Sequence, residues 1–144
     1  MKKEKLTLLK PKEGNSIGQW LIEQGLSAGF PSPADDFKEV RISLDKELIN
    51  NKESTFYARV SGNSMEDAGI SNGDLLVIDR AIEPKNNKIA VCFLDGEFTV
   101  KRINQYGGSL YLKPENKNYK KIEINENNSL LIWGIVTYVI KKIK

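Results

Sequence analysis

Two residues in this chain are placed to do chemistry on an acyl group. Ser64 lies in "SGNSMEDAGISNGDLLVIDR", residues 61–80, where small and turn-forming residues run into an apolar strand. A serine hydroxyl attacks a carbonyl only if a neighbouring group takes its proton, and that group is most often His. The sequence has no His. Lysine is the remaining base of suitable chemistry, but an isolated lysine amine titrates at about 10.4 and is charged at neutral pH. Burial among apolar groups disfavours the charged form, so a lysine set in an apolar strand is the type to look for. Lys101, in "GEFTVKRI", fits best, because most other lysines sit in polar loops or at the C-terminal tail.

Each residue also has a plainer reading. Ser64 with Asp67 resembles a capping box at the start of a short helix, where the hydroxyl accepts a backbone N–H. Lys101 could be an outward-facing strand residue. Alternation puts Thr99, Lys101 and Ile103 on one face and Phe98, Val100 and Arg102 on the other, one basic residue each way. Parity alone does not choose between the faces.

The elements around these residues are mostly strands. "TFYARV" and "DLLVID" flank the serine block, and "KIAVCFL" and "EFTVKRI" flank Asp95-Gly96, a strong two-residue hairpin signal. "SLYLKP", "KKIEI" and "SLLIWGIVTYVIKK" follow, with Asn, Gly and Pro between them. Many short strands without intervening helices predict a mainly β body, a bent antiparallel sheet or partly closed barrel. The segment 130–140 is apolar on both faces. It reads equally as a strand buried in the sheet or as a subunit interface to which Trp133 and Ile135 contribute.

The residues before Ser54 read as irregular. "SIGQWLIEQG" suggests one or two helical turns despite Gly18 and Gly25, and "SLDKELIN" a short helix. "SAGFPSPADDF", with Gly29, Pro31 and Pro33, reads as an extended linker or exposed arm.

Composition narrows the class. The chain has 144 residues, 40% hydrophobic and 28% charged, enough for one core and too mixed for wholesale disorder. The single Cys92 excludes an intramolecular disulfide and, with no His cluster, argues against structural zinc; a reducing cytoplasm fits. The longest apolar run, 130–140, is short of the about 20 residues that span a bilayer. The first 14 residues lack the apolar stretch of a signal peptide. The net charge of +3 is not gathered into a basic face of the kind that grips DNA phosphates, so no sequence-specific DNA contact is expected.

Three segments in order, the arm "GFPSPADDF", the block "SGNSM…GISNGDLLVID" and the strand "DGEFTVKRI", together resemble the LexA and UmuD family of self-cleaving serine–lysine proteins, most closely its UmuD branch. The likeness runs from about Gly25 to the C-terminus. It implies that Ser64 is the nucleophile and Lys101 the general base, with the backbone N–H groups of Ser64 and Met65 as oxyanion donors. It implies a scissile bond between Ala28 and Gly29. It therefore divides the chain into an arm 1–28 removed by self-cleavage, a linker with a short helix over 29–53, and a β-rich peptidase-like domain over 54–144. The best-known UmuD pattern has Cys before the scissile bond; Ala-Gly here is the LexA-like choice. No metal or organic cofactor is implied. The partners implied are a second copy in a homodimer, the RecA–single-stranded DNA filament as trigger, and a Y-family, UmuC-like polymerase subunit in translesion synthesis during the SOS response. The sliding clamp is a further candidate. The competing readings are an idle module that restrains a polymerase, and a leader-peptidase-like enzyme acting on other proteins.

Overall fold

The computed structural model describes residues 5–11, 19–22 and 39–144. Its contacts divide the chain into two units, one formed by residues 1–11 with 51–144 and one by residues 12–50.

In the larger unit, eight strands among the described residues form one antiparallel sheet. In chain order these are β1 (Lys5–Leu9), β4 (Thr55–Ser61), β5 (Leu75–Asp79), β6 (Ile89–Leu94), β7 (Glu97–Tyr106), β8 (Ser109–Lys113), β9 (Ile122–Glu123) and β10 (Leu130–Ile140). Across the sheet they run β1-β4-β5-β10-β6-β7-β8-β9. The sheet bends enough for β1 to pack against β7, yet its two ends do not pair, so the mainly β, bent-sheet expectation holds as an open sheet. The β6–β7 hairpin turns at Asp95-Gly96, with φ of 48° and 86°, the positive values that this dipeptide tolerates in a tight turn.

The bend gives two apolar clusters. Ala58, Val60, Met65, Ile70, Leu76, Ile78, Val91 and Val100 form one. Ala90, Cys92, Ile103, Leu112 and Ile135 form the other. Adjacent β6 residues feed opposite clusters, as strand alternation requires.

β10 lies between β5 and β6, in the middle of the sheet. That position accounts for its apolar character on both faces. Ile135 is 3% exposed and belongs to the core, and Trp133 packs edge-on against Phe56 and Phe98, so both side chains serve the fold. The pairing register of β10 shifts between Ile132 and Gly134. A Cβ on Gly134 would stand 2.6 Å from Ile78 Cγ2, which explains a glycine in a central strand.

Two readings of the N-terminal part change. Residues 5–9 are not irregular: they form β1, paired with β4 from Lys5↔Ser61 to Leu9↔Tyr57. In the smaller unit, the centre of "SIGQWLIEQG" is a strand, β2 (Gln19–Ile22), paired with β3 (Glu39–Ile42). Four residues are too few for a helical period to outweigh strand pairing, and Trp and Ile favour a strand. The short helix is present as α1 (Leu44–Leu48), with Ser43 at its N-cap accepting from the Lys46 N–H.

Asp79, at the end of β5, ties the entry to β4 into the sheet. Its carboxylate accepts from Ser54 Oγ at 2.7 Å, the Ala81 N–H at 2.8 Å and Asn51 Nδ2 at 3.0 Å. Burial pushes this carboxyl up, but the bonds from Ser54, Ala81 and Asn51 outweigh it and hold the group below its usual value. A depressed folded value means a stabilisation that is full above the unfolded value of about 3.9 and is lost as the pH falls through the lower folded value. Asp79→Ala is therefore expected to cost about 2 kcal/mol at pH 7. Urea unfolding of both proteins checks this: the gap should narrow below about pH 4, and an unchanged gap would refute the assignment.

Candidate active site

Ser64 follows the end of β4 through Gly62, whose φ of 113° suits only glycine, and whose N–H donates to Asn72 Oδ1 at 3.0 Å. After Ser64 the chain drives Met65 into the core and then makes a 3-10 turn, Glu66–Ala68, closed by Gly69 at φ 82°. Ser64 thus sits between a glycine-made corner and a buried anchor, which fixes the direction of its side chain.

The capping-box reading of Ser64 fails. The residue flanking the 3-10 turn is Met65, and no side chain caps it. The Asp67 N–H donates to the Glu115 carbonyl at 2.7 Å. Ser64 is 1% exposed, and its hydroxyl oxygen lies 3.1 Å from Lys101 Nζ.

Lys101 reaches Ser64 from β7, where it pairs with Ala90 of β6. It is 5% exposed, so it does not face outward; Val100, on the other face, is buried too, and both faces of β7 are covered at this point. Nζ also lies 2.6 Å from Thr99 Oγ1 and 3.0 Å from the Val100 carbonyl. A lysine ammonium has three N–H donors, and the oxygens of Ser64, Thr99 and Val100 all lie within reach of them. A neutral amine has two N–H groups and a lone pair. Where Thr99 and the Val100 carbonyl take the two N–H bonds, the lone pair is left for the Ser64 hydroxyl. The arrangement can therefore transfer the hydroxyl proton to nitrogen.

The third element of the site was not anticipated from the sequence. Residues 115 and 116, beyond β8, grip the serine segment from outside. Asn116 Nδ2 donates to the Asn63 carbonyl at 2.7 Å, and the Glu115 N–H meets Met65 Sδ at 3.4 Å. The Glu115 carboxylate pairs with Arg102 Nε at 2.5 Å. Arg102 directly follows Lys101, so one ion pair joins the lysine strand to the segment that holds Ser64. Its sequence signal is faint: "PEN" after a strand looks like any polar loop.

The structure thus brings Ser64, Met65 and Lys101 together. Ala28 and Gly29, and the arm "SAGFPSPADDF" around them, lie outside the described residues. Among the described residues no helix is long and apolar enough to cross a membrane.

Comparison with known proteins matches residues 21–137 to the family described as Peptidase S24-like. The chain is 39% identical to Protein ImpA of Escherichia coli over 132 residues, 92% of this chain and 90% of that protein. It is 40% identical to Protein MucA of Salmonella typhimurium over 116 residues, 80% and 79% of the two chains. It is also 35% identical to the LexA repressor of Shewanella woodyi over 128 residues, 84% of this chain and 62% of that one.

Proposed function

The chain belongs to the S24-like peptidase family, and from that premise we propose that it is a self-cleaving serine–lysine peptidase of the UmuD type, with Ser64 as nucleophile and Lys101 as general base. The observation that carries this reading is the 3.1 Å approach of Lys101 Nζ to Ser64 Oγ, both buried, in a chain without His.

The reaction runs as an acyl transfer. Neutral Lys101 takes the Ser64 proton as Oγ bonds to the Ala28 carbonyl carbon. The backbone N–H groups of Ser64 and Met65 stabilise the oxyanion. Lys101 then gives the proton to the leaving Gly29 nitrogen as the C–N bond breaks. Water, deprotonated by Lys101, attacks the resulting ester, frees the Ala28 carboxylate and restores Ser64. Small side chains at Ala28 and Gly29 let the arm approach the nucleophile closely, and Pro31 and Pro33 favour an extended path beyond it.

In the cell the trigger is a RecA filament on single-stranded DNA. The product, residues 29–144, is the accessory subunit of a Y-family, UmuC-like polymerase in translesion synthesis. It acts as a homodimer in the cytoplasm. Exposed Tyr138, Val139 and Ile140 at the end of β10 supply apolar surface for the second copy.

Incubating the purified chain with activated RecA filaments and measuring intact mass tests this. A new species starting at Gly29 is expected; cleavage of other proteins with the arm left intact would favour an enzyme acting in trans. Gly29→Lys, which leaves Ser64 and Lys101 in place, is expected to slow self-cleavage by about 100-fold or more through misplacement of the carbonyl. Cleavage of that variant at the wild-type rate would show that the bond lies elsewhere.

A further inference from the structure

Among the described residues β1 occupies an edge of the sheet, and β4 is its only partner strand there. The alternation of the ladder identifies which β4 groups it covers. The Val60 N–H donates to the Asp74 carbonyl on the β5 side. The N–H groups of Val60, Ala58 and Phe56 therefore face β5, and those of Tyr57, Arg59 and Ser61 face β1. Without β1 this second row would stand open to solvent, a ready template for another strand.

β1 contributes more than backbone pairing. Leu6 and Leu8 are half-buried and pack against the cluster containing Val60 and Val100. Just beyond the strand, Lys10 Nζ lies 4.2 Å above the Phe56 ring and donates to the carbonyls of Lys52 and Glu53 at 3.2 and 2.9 Å. The edge thus reads an extended segment by a leucine, a second leucine two residues on, and a cation two residues beyond that.

We infer that β1 is a removable cover over the β4 edge, and that once it leaves, this edge takes up by strand addition an extended Leu-x-Leu-x-Lys segment of a partner protein. β1 precedes the Ala28–Gly29 bond and β4 follows it, so cutting there separates the two. While the chain is intact, the tether holds β1 near β4 at an effective concentration on the order of millimolar; after cutting, β1 competes only at its concentration in solution. Five paired residues and two half-buried leucines do not hold at micromolar concentration, and the edge opens. The mode is β-strand addition, in which backbone bonds give affinity and alternate side chains give selectivity. The release step rests on the cleavage proposed above; the cover itself does not.

The test removes Ser64 chemistry from the question. A site for a sequence-specific protease is placed across residues 25–28 of a Ser64→Ala chain. Amide hydrogen exchange is followed residue by residue, before cutting and after cutting with dilution to micromolar protein. Tyr57 and Arg59 amides are expected to exchange at least about tenfold faster after cutting, while Ala58 and Val60 stay protected. A synthetic peptide of residues 1–11 at about millimolar concentration should restore protection, and the same peptide with Leu6→Asp and Leu8→Asp should not. Leu6→Asp with Leu8→Asp in the uncut chain should give the same pattern as cutting. Unchanged Tyr57 and Arg59 protection in the cut protein at every dilution would overturn the cover. Loss of protection at all four amides would overturn it too, because β1 would then be integral to the fold. Protection that returns with protein concentration alone would mean that two copies pair through β4, and would overturn the partner segment.

Discussion

A Ser64→Ala chain incubated with RecA filaments is expected to keep the mass of all 144 residues, with cleavage slowed by about a million-fold and so below detection. The geometry that directs Ser64 is local: the Gly62 corner before it, the Met65 anchor after it, and the grip of Glu115 and Asn116. The variant should remain folded. Removing the hydroxyl leaves Lys101 Nζ its bonds to Thr99 and the Val100 carbonyl, so the loss is that of one buried bond, about 1 kcal/mol. Circular dichroism and urea unfolding check the fold, and intact mass checks the reaction. A fragment starting at Gly29 from Ser64→Ala protein would remove Ser64 from the mechanism.

Lys101→Arg is expected to be inactive at every pH from about 6 to 11, because a guanidinium does not give up its proton in that range. The loss should be at least about 10²–10⁴-fold in rate, the usual share of a general base. Lys101→Met serves beside it: similar in length and uncharged, it removes the base without forcing a larger cation into the site, and it too should be inactive. If Lys101 is the base, only an amine without its extra proton can accept from Ser64, so unassisted cleavage by wild type should rise by about tenfold per pH unit before levelling off. The readout is the first-order rate of cleavage with and without filaments. A flat wild-type profile, or appreciable cleavage by Lys101→Arg, would rule out Lys101 as the base.

The body of the fold was legible in the sequence because its signals are local. Asp95-Gly96 sets its own turn, the strands on either side carry β-forming residues, and the segments called strands from Thr55 onward appear as β4 to β10. The segments that changed are those whose structure depends on a distant partner. β1 is a strand because β4 offers it an edge 48 to 56 residues away, from Leu9↔Tyr57 at 48 to Lys5↔Ser61 at 56; nothing within "KLTLL" demands one. β2 is a strand because it pairs with β3.

For the site, the sequence by itself offered the candidates: one serine in a glycine-flanked turn, one lysine in an apolar strand 37 residues later, and no histidine. It left open whether Ser64 caps a helix and which way Lys101 faces, because residue type and strand parity are the same under either answer. It left the last strand open between interior and interface for the same reason. Only the tertiary structure decided the first two, by bringing β7 under the end of β4 and laying Glu115 and Asn116 across the serine segment; for the last strand it placed Trp133 and Ile135 in the interior and left Tyr138, Val139 and Ile140 exposed. The physical reason is range. Turn chemistry and strand propensity act within a few residues, whereas burial and the 3.1 Å meeting of Lys101 with Ser64 exist only once the strands have paired.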